Sequence, residues 1–289
     1  MIVVAGGSGT LGRFVVEELR ARGASVRALV RDAVRARAVL GQEVEVVGVD
    51  VRDREGVRAG VRGATVVISA VHGFLGGRGA GPAAVDRDGN ANLDAAARDA
   101  GAAIVLTSIV GAAADSPLEL FRMKHAAEQL LGDSTVPWTV VRATAFFETW
   151  IQVLRKTSDR SGRVLVFGRG QQPIPFVSAR DVAVLLASAA LGGSLRGQVL
   201  EVGGPQRLTM TALAKAVQAT AGYGGEPRHL PRLVLRTMAL AADPVSPARA
   251  RQARTAFVMD TMDLAGGARP VAELVPGEVS TSLAQVLGS

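Results

Sequence analysis

Apolar and polar positions exchange between two periods along most of this chain. Ile2-Val3-Val4-Ala5 is a short apolar run, and Leu11, Phe14, Val15 and Leu19 then fall at one-face helical spacing until Gly23 stops them. The exchange recurs. Ser25 to Val30 predicts a strand, Ala33 to Leu40 a short helix, Val44 to Val49 a third strand and Arg54 to Val61 a helix. Ala64 to Val71 is largely apolar, as in a central parallel strand covered on both faces. Val85 to Ala100 predicts a helix, Ala103 to Thr107 a strand, Leu118 to Leu131 a helix and Trp138 to Arg142 a strand, with Gly101 and Gly132 marking helix ends. Val164 to Phe167 and Val199 to Val202 read as later strands on either side of a helix from Ala179 to Leu191.

Strands separated by helical periods predict βαβ units and an α/β fold. After Gly203-Gly204-Pro205 the pattern turns to helices, Met210 to Ala221 and a proline-bounded stretch from Leu230 to Ala242, with no further strand expected. The expected organisation is a doubly wound parallel sheet over residues 1–205 and a smaller, mainly helical substrate-side unit over 206–289. An insertion at about 151–174 joins the substrate side. Residues 73–82 are too rich in glycine for regular structure and follow the carboxyl end of the fourth strand, where a loop is expected.

Composition narrows the chemistry. A chain of 289 residues, 48% hydrophobic and 20% charged, is ordinary for a folded protein. No apolar run approaches the roughly 18 to 20 residues of a spanning helix, and no basic leader precedes Ile2, so a cytoplasmic protein without a membrane partner is expected. The absence of cysteine excludes disulfides, zinc–thiolate sites and cysteine nucleophiles. His72, His125 and His229 are too scattered for a metal site, so none is expected. The net charge of +7 is spread singly along helices, without the basic block of a nucleic-acid binder. Lys124, Lys156 and Lys215 are the only lysines among 33 cationic residues, which makes a lysine at a functional position conspicuous.

Ala5-Gly6-Gly7-Ser8-Gly9-Thr10-Leu11-Gly12 carries glycines 6, 9 and 12 between a strand and an amphipathic helix. That context predicts a Rossmann-type dinucleotide site: glycine permits the turn and close backbone approach to a pyrophosphate, and the helix start favours the anion. The second strand ends in Val30-Arg31-Asp32. Arginine there accepts the 2′-phosphate of NADP(H), whereas an acid binds the ribose diol of NAD(H). Arg31 comes first and favours NADP(H); Asp32 keeps NAD(H) open. Asp50 and Val51, after the third strand, stand where an adenine pocket is expected, or Asp50 caps the following helix. Ala70 and Val71 close the fourth strand on the same rim.

The glycine run, Val49-Asp50-Val51, Thr107-Ser108, Lys124, Arg142 to Phe147, Val177 to Val182 and Gly203-Gly204-Pro205 together resemble an atypical short-chain dehydrogenase/reductase of the NmrA-like and isoflavone-reductase-like kind. The resemblance covers about residues 1–220. It implies that Lys124 lies near the nicotinamide ribose, that Thr107 and Ser108 flank the nicotinamide with one hydroxyl holding a substrate oxygen, and that Ala143, Thr144, Ala145 and Phe146 pass the carboxamide.

Most members of that superfamily use Tyr-x-x-x-Lys. Here the segment is Leu120-Phe121-Arg122-Met123-Lys124, and the chain's one tyrosine is Tyr223. The usual proton donor is therefore missing. Lys124 remains as a candidate acid, base or cofactor ligand, against the alternative of an exposed helix lysine. His72, at the rim before the glycine-rich loop, is a candidate proton relay or a loop-packing histidine, and His125 points some 100° away from Lys124 around a helix. Ser108 is the candidate that orients the acceptor. Phe74, Phe147, Trp150, Met259 and Met262 are expected to wall an apolar substrate pocket, or to fill core. The functional expectation is an NADPH-dependent oxidoreductase acting on a small or medium apolar carbonyl, quinone, enone or imine-like acceptor. The alternatives are a non-enzymatic NADP(H) sensor and an isomerase or cyclase that uses the cofactor structurally. The oligomeric state is left open between monomer and homodimer.

Overall fold

The first apolar run forms β1 (Ile2–Ala5), and all four residues are buried because helices cover both faces of the sheet it enters. A glycine turn leads into α1 (Thr10–Ala21), whose stripe of Leu11, Phe14, Val15, Val16 and Leu19 faces the core. Burial of each large apolar side chain contributes roughly 1.5–3 kcal/mol. The alternation continues through β2 (Val26–Val30), α2 (Ala33–Leu40), β3 (Glu45–Gly48), α3 (Arg54–Val61) and β4 (Val66–Ser69). A π-helical segment, Ala83–Gly89, runs directly into α4 (Asn90–Ala100), followed by β5 (Ala103–Ile109), α5 (Glu119–Gly132) and β6 (Trp138–Ala143). Next come α6 (Phe147–Lys156), β7 (Leu165–Phe167), β8 (Pro173–Ile174), α7 (Ala179–Leu191) and β9 (Gln198–Val202). The last elements are β10 (Leu208–Thr209), α8 (Met210–Thr220), β11 (Arg228–Leu230), α9 (Arg232–Ala241), α10 (Pro247–Met259), α11 (Val271–Leu274) and α12 (Leu283–Gly288). The computed structural model describes residues 1–242, 246–264 and 266–288.

Seven strands form one parallel sheet in the order β3-β2-β1-β4-β5-β6-β9. The order reverses between β1 and β4, and that switch point opens a crevice above the carboxyl ends of the strands. One apolar cluster lies on each face of the sheet, and a third gathers Phe147, Phe176, Met210 and Leu213 on the substrate side.

Three differences from the sequence reading have physical causes. The fourth strand stops at Ser69, since beyond Ala70, whose N–H still reaches Ala5 O, the next carbonyl is taken by a lysine. The helix expected from Val85 opens two residues earlier as a π-helix, in which the Asn90 side-chain amide donates at 2.6 Å to Asp86 O, the carbonyl that an i→i−4 backbone bond from Asn90 would use. Strands also occur after residue 205, contrary to expectation. β11 pairs with β7 and β10 with β8, so two short strands too brief to show alternation tie the C-terminal segment to the 151–174 insertion.

Candidate functional site

Gly6 takes φ +80°, and a Cβ on it would sit 2.8 Å from Ala70 O. Gly12 is required by contact: its Cβ would lie 2.1 Å from Gly6 O. This packing seats α1 directly behind the turn. Gly9 caps α1 without any side-chain hydrogen bond, and Arg13 N–H to Gly9 O is the first bond of the helix ladder. The amides of Thr10, Leu11 and Gly12 therefore have no partner within the helix and are available to an anion, beside exposed Ser8, Gly9 and Thr10. The Leu11 side chain itself is in the core, so only its backbone can serve a ligand. Arg13 and Arg35 line the same depression as Ser8–Thr10. Sequence reading missed both; their positions, one residue past Gly12 and one helical turn past Arg31, were the available signal.

Arg31 is exposed immediately after β2. Asp32 caps α2, its Oδ1 accepting Arg35 N–H at 3.0 Å. Asp50 is not a helix cap; that position belongs to Asp53, which accepts Gly56 N–H at 3.1 Å. Asp50 instead accepts the N–H, Nε–H and Nη2–H of Arg52 at 3.0, 2.9 and 2.6 Å. The Arg52 side-chain hydrogen bonds hold its carboxyl at about 2, against the opposing effect of burial, and Arg31 adds to the lowering. Arg52 Nη1 also donates to Gly79 O at 2.7 Å, so this rim pins the glycine-rich loop. Val51 is buried, and its carbonyl accepts Asn92 Nδ2–H at 2.9 Å.

Lys124 is buried, which excludes an exposed helix lysine. Its Nζ donates to Val71 O at 3.0 Å and Thr107 O at 2.8 Å, and lies 3.0 Å from Asp86 Oδ1. An ammonium has three N–H donors, and three protein oxygens surround this one. The chain just past β4 and the carboxyl end of β5 are thereby held together beside the switch point.

Thr107 and Ser108 are adjacent on β5 and point to opposite faces. Ser108 Oγ donates to Glu128 on α5, and Glu128 accepts Arg142 Nε–H and Nη2–H at 3.0 and 2.6 Å. Ser108, Arg142 and Glu201 are register neighbours across β5, β6 and β9, and Arg142 Nη1 reaches Glu201 at 3.3 Å. Ser108 is thus part of a polar ladder on the α5 side. Thr107, 7% exposed, has a buried hydroxyl with no hydrogen-bond partner. Of the two, Thr107 carries the unsatisfied group.

His72 stands exposed at the crevice mouth, between Val71 and the buried Gly73. Crowding by protein atoms holds its imidazole below the usual range, with Asp86 opposing and Lys124 and Arg31 adding to the effect. His125 is separate, its Nδ1 buried and unpartnered on α5. The loop after His72 is fixed at its middle by Arg251 of α10, which donates to Gly76 O at 3.2 Å.

Ala143 and Thr144 are buried, and the segment continues through half-buried Ala145 and Phe146. Thr144 Oγ1 donates to Pro175 O at 2.6 Å, Val177 N–H donates to Ala145 O, and Phe146 bridges Val177. These bonds fix the backbone of the segment that the family resemblance implies would pass a carboxamide. The five pocket candidates divide. Phe147 is core, stacked on Phe176 at 5.6 Å. Trp150 and Met259 line one small cavity of about 30 Å³ with Ile174 and Met210. The Met262 methyl approaches Gly111, and Phe74 sits half-buried on the loop. Leu120, at the tyrosine position of the motif, is half-buried beside the third cluster, and Tyr223 lies after α8 with its N–H on Gln218 O.

Comparison with known proteins agrees with this geometry. The NAD(P)H-binding family profile matches residues 6–190. An NAD(P)H azoreductase from Xenophilus azovorans is 29% identical over 224 residues, covering 77% of this chain and 74% of that protein. A (4-alkanoyl-5-oxo-2,5-dihydrofuran-3-yl)methyl phosphate reductase from Streptomyces griseus is 31% identical over 211 residues, covering 72% and 70%. The crystal structure of an NADPH-dependent quinone oxidoreductase from Escherichia coli, complexed with NADPH, superposes with a TM-score of 0.73 at 22% identity, covering 100% of this chain and 99% of that one. The glycine turn, the open start of α1 and these similarities together make the chain a member of the NAD(P)H-binding family of oxidoreductases, of the atypical short-chain dehydrogenase/reductase type.

Proposed function

We propose that the protein is an NADPH-dependent reductase of small or medium apolar acceptors such as quinones, enones, imine-like compounds or carbonyls. The observation that carries this reading is the uncapped start of α1 with Arg13 and Arg35 in the same depression and exposed Arg31 at the end of β2, while Asp32 is engaged as a helix cap. Cations at the end of β2 favour a 2′-phosphate over a free ribose diol. When bound, the nicotinamide supplies hydride, and the protein's part is orientation and electrostatics.

Gly6, Gly7, Ser8, Gly9, Thr10 and Gly12 hold the pyrophosphate. Asp50 and Val51 border the adenine side, and Ala70, Val71 and Ala143–Phe146 border the nicotinamide side. Lys124 serves as a fixed cation whose field favours developing negative charge on an acceptor oxygen. Thr107 is the hydroxyl that donates to that oxygen, supported by its buried, unpartnered state, whereas Ser108 keeps β5 in place through Glu128. His72, exposed at the crevice mouth, passes a proton between the crevice and water. Residues 73–84 exclude solvent, and Phe74, Trp150, Met259 and Met262 offer apolar walls. Relatives named as an NAD(P)H azoreductase and a (4-alkanoyl-5-oxo-2,5-dihydrofuran-3-yl)methyl phosphate reductase support a reductive reaction.

The test is NADPH absorbance in the presence of a panel of quinones, azo compounds, enones and imines. Acceptor-dependent loss supports the reading. Tight NADPH binding with no loss against any acceptor contradicts it and favours the sensor alternative.

A further inference from the structure

The Asp86 carboxylate is fully buried in the π-helical segment, and its two oxygens serve different elements. Oδ2 accepts the Gly73 N–H at 2.8 Å. Oδ1 lies 3.0 Å from Lys124 Nζ and has no other partner. Lys124 in turn donates to Val71 O. The two residues that flank His72 are therefore held from both sides by one ion pair: Val71 through the lysine and Gly73 through the carboxylate. The same pair reaches Thr107 O, so the clamp spans the end of β4, the start of the glycine-rich loop and the end of β5.

We propose that Asp86 is a positioning residue that couples the seating of the start of the loop after His72 to the placement of Lys124. A carboxylate suits this role because it offers acceptors on two oxygens; an amide has one acceptor oxygen and can keep one link only. The π-helical turn aims Asp86 inward at this point, and the Asn90 amide on Asp86 O holds that turn in place. A buried ion pair contributes little net stability relative to an apolar pair, whereas removing one partner is costly, which agrees with a role in fixing geometry. The charged groups that face His72 are Asp86 from the π-helical segment, Lys124 from α5 and Arg31 from the end of β2.

The experiment is amide hydrogen exchange at Gly73 together with NMR titration of His72, which is tractable because the chain has three histidines. In the wild-type protein the Gly73 amide exchanges at least about tenfold more slowly than that of exposed Gly77. In Asp86→Ala the Gly73 amide loses that protection. In Asp86→Asn the His72 midpoint falls, since the group that raises it has lost its charge. A role confined to overall stability lowers the melting temperature and leaves the Gly73 amide of the folded variant as protected as in the wild type. The proposal is overturned if wild-type Gly73 exchanges as fast as Gly77, a measurement that needs no variant, or if folded Asp86→Asn keeps the wild-type His72 midpoint. Where turnover is read, the proposal rests on the reductase function: Asp86→Asn lowers turnover at least about tenfold with NADPH affinity retained. Failure of the wild-type protein to oxidise NADPH overturns that function, while exchange and titration still decide the role of Asp86.

Discussion

Ser108 Oγ is hydrogen-bonded to Glu128 across the seam between β5 and α5, and this bond separates two neighbouring hydroxyls by role. Ser108 belongs to the Glu128–Arg142–Glu201 ladder, and Thr107 is left with a buried, unpartnered oxygen. Thr107→Val, which keeps the shape and removes the hydroxyl, is expected to lower kcat/KM about tenfold or more while NADPH affinity holds. Ser108→Ala is expected to lower unfolding free energy by about 1–2 kcal/mol and change turnover much less. Steady-state kinetics paired with urea denaturation separates the two effects. The reverse pattern would return the acceptor-orienting role to Ser108.

Arg31 and Asp32 make a second pair of adjacent residues with separate tasks. Arg31→Ala is expected to weaken NADPH binding at least about tenfold and NADH binding little. Asp32→Ala removes a helix cap, costs about 1 kcal/mol of stability and leaves the ratio of the two affinities nearly unchanged. Fluorescence titration with both nucleotides checks this; equal losses for both in Arg31→Ala would contradict the assignment.

Gly12→Ala places a methyl carbon against Gly6 O, a contact no local rotation relieves. The expected result is a loss of about 3 kcal/mol in stability together with loss of nucleotide binding, since the turn and the start of α1 must separate. Gly77→Ala, where a Cβ meets nothing within 4 Å, is the matched control.

Asp181 at the start of α7 accepts both the N–H and the hydroxyl of Thr281, fastening the C-terminal tail. Burial raises its ionisation above the usual carboxylate range, the Thr281 hydrogen bonds oppose this, and Glu148 and Glu278 add to the rise. The folded state therefore binds this proton more tightly than the unfolded state does. Its contribution is fully present below the ordinary value of 3.8 and is lost as pH rises through the higher folded value. Asp181→Asn, which stays neutral and can still meet Thr281, is expected to match or exceed wild-type stability above that range and to remove this component of the pH dependence. Denaturation midpoints across pH 4 to 8 check it; a marked loss at pH 7 would show that the charge itself is needed.

Much of the nucleotide half was legible because its signals are local. Ile2–Ala5, Ala33–Leu40, Arg54–Val61 and Ala179–Leu191 occur as elements with the bounds the pattern predicts. The glycine turn was legible because the contact that requires Gly12 is with Gly6 O, six residues away, whereas the Ala70 carbonyl that crowds Gly6 comes from the end of the fourth strand. The strand pairings β7–β11 and β8–β10 were not, since strands of two or three residues have no period and exist only through partners distant in the chain. The environment of Lys124 was hidden for the same reason. Its conspicuous identity marked it, but Asp86, Val71 and Thr107 meet it through the packing of three elements. Likewise nothing local told Thr107 from Ser108, because Glu128, which engages Ser108, and Arg142, which engages Glu128, come from later segments.

The most direct measurement of the central claim is isotope transfer. NADPH deuterated at C4 of the nicotinamide is incubated with the protein and a reducible acceptor such as a quinone or an azo compound under anaerobic conditions, with products followed by NMR and mass spectrometry. The account predicts stoichiometric formation of NADP⁺ and of reduced acceptor, with deuterium directly observed at carbon when an enone or imine is used. NADPH that binds and remains unoxidised, with every acceptor recovered unchanged, would contradict it.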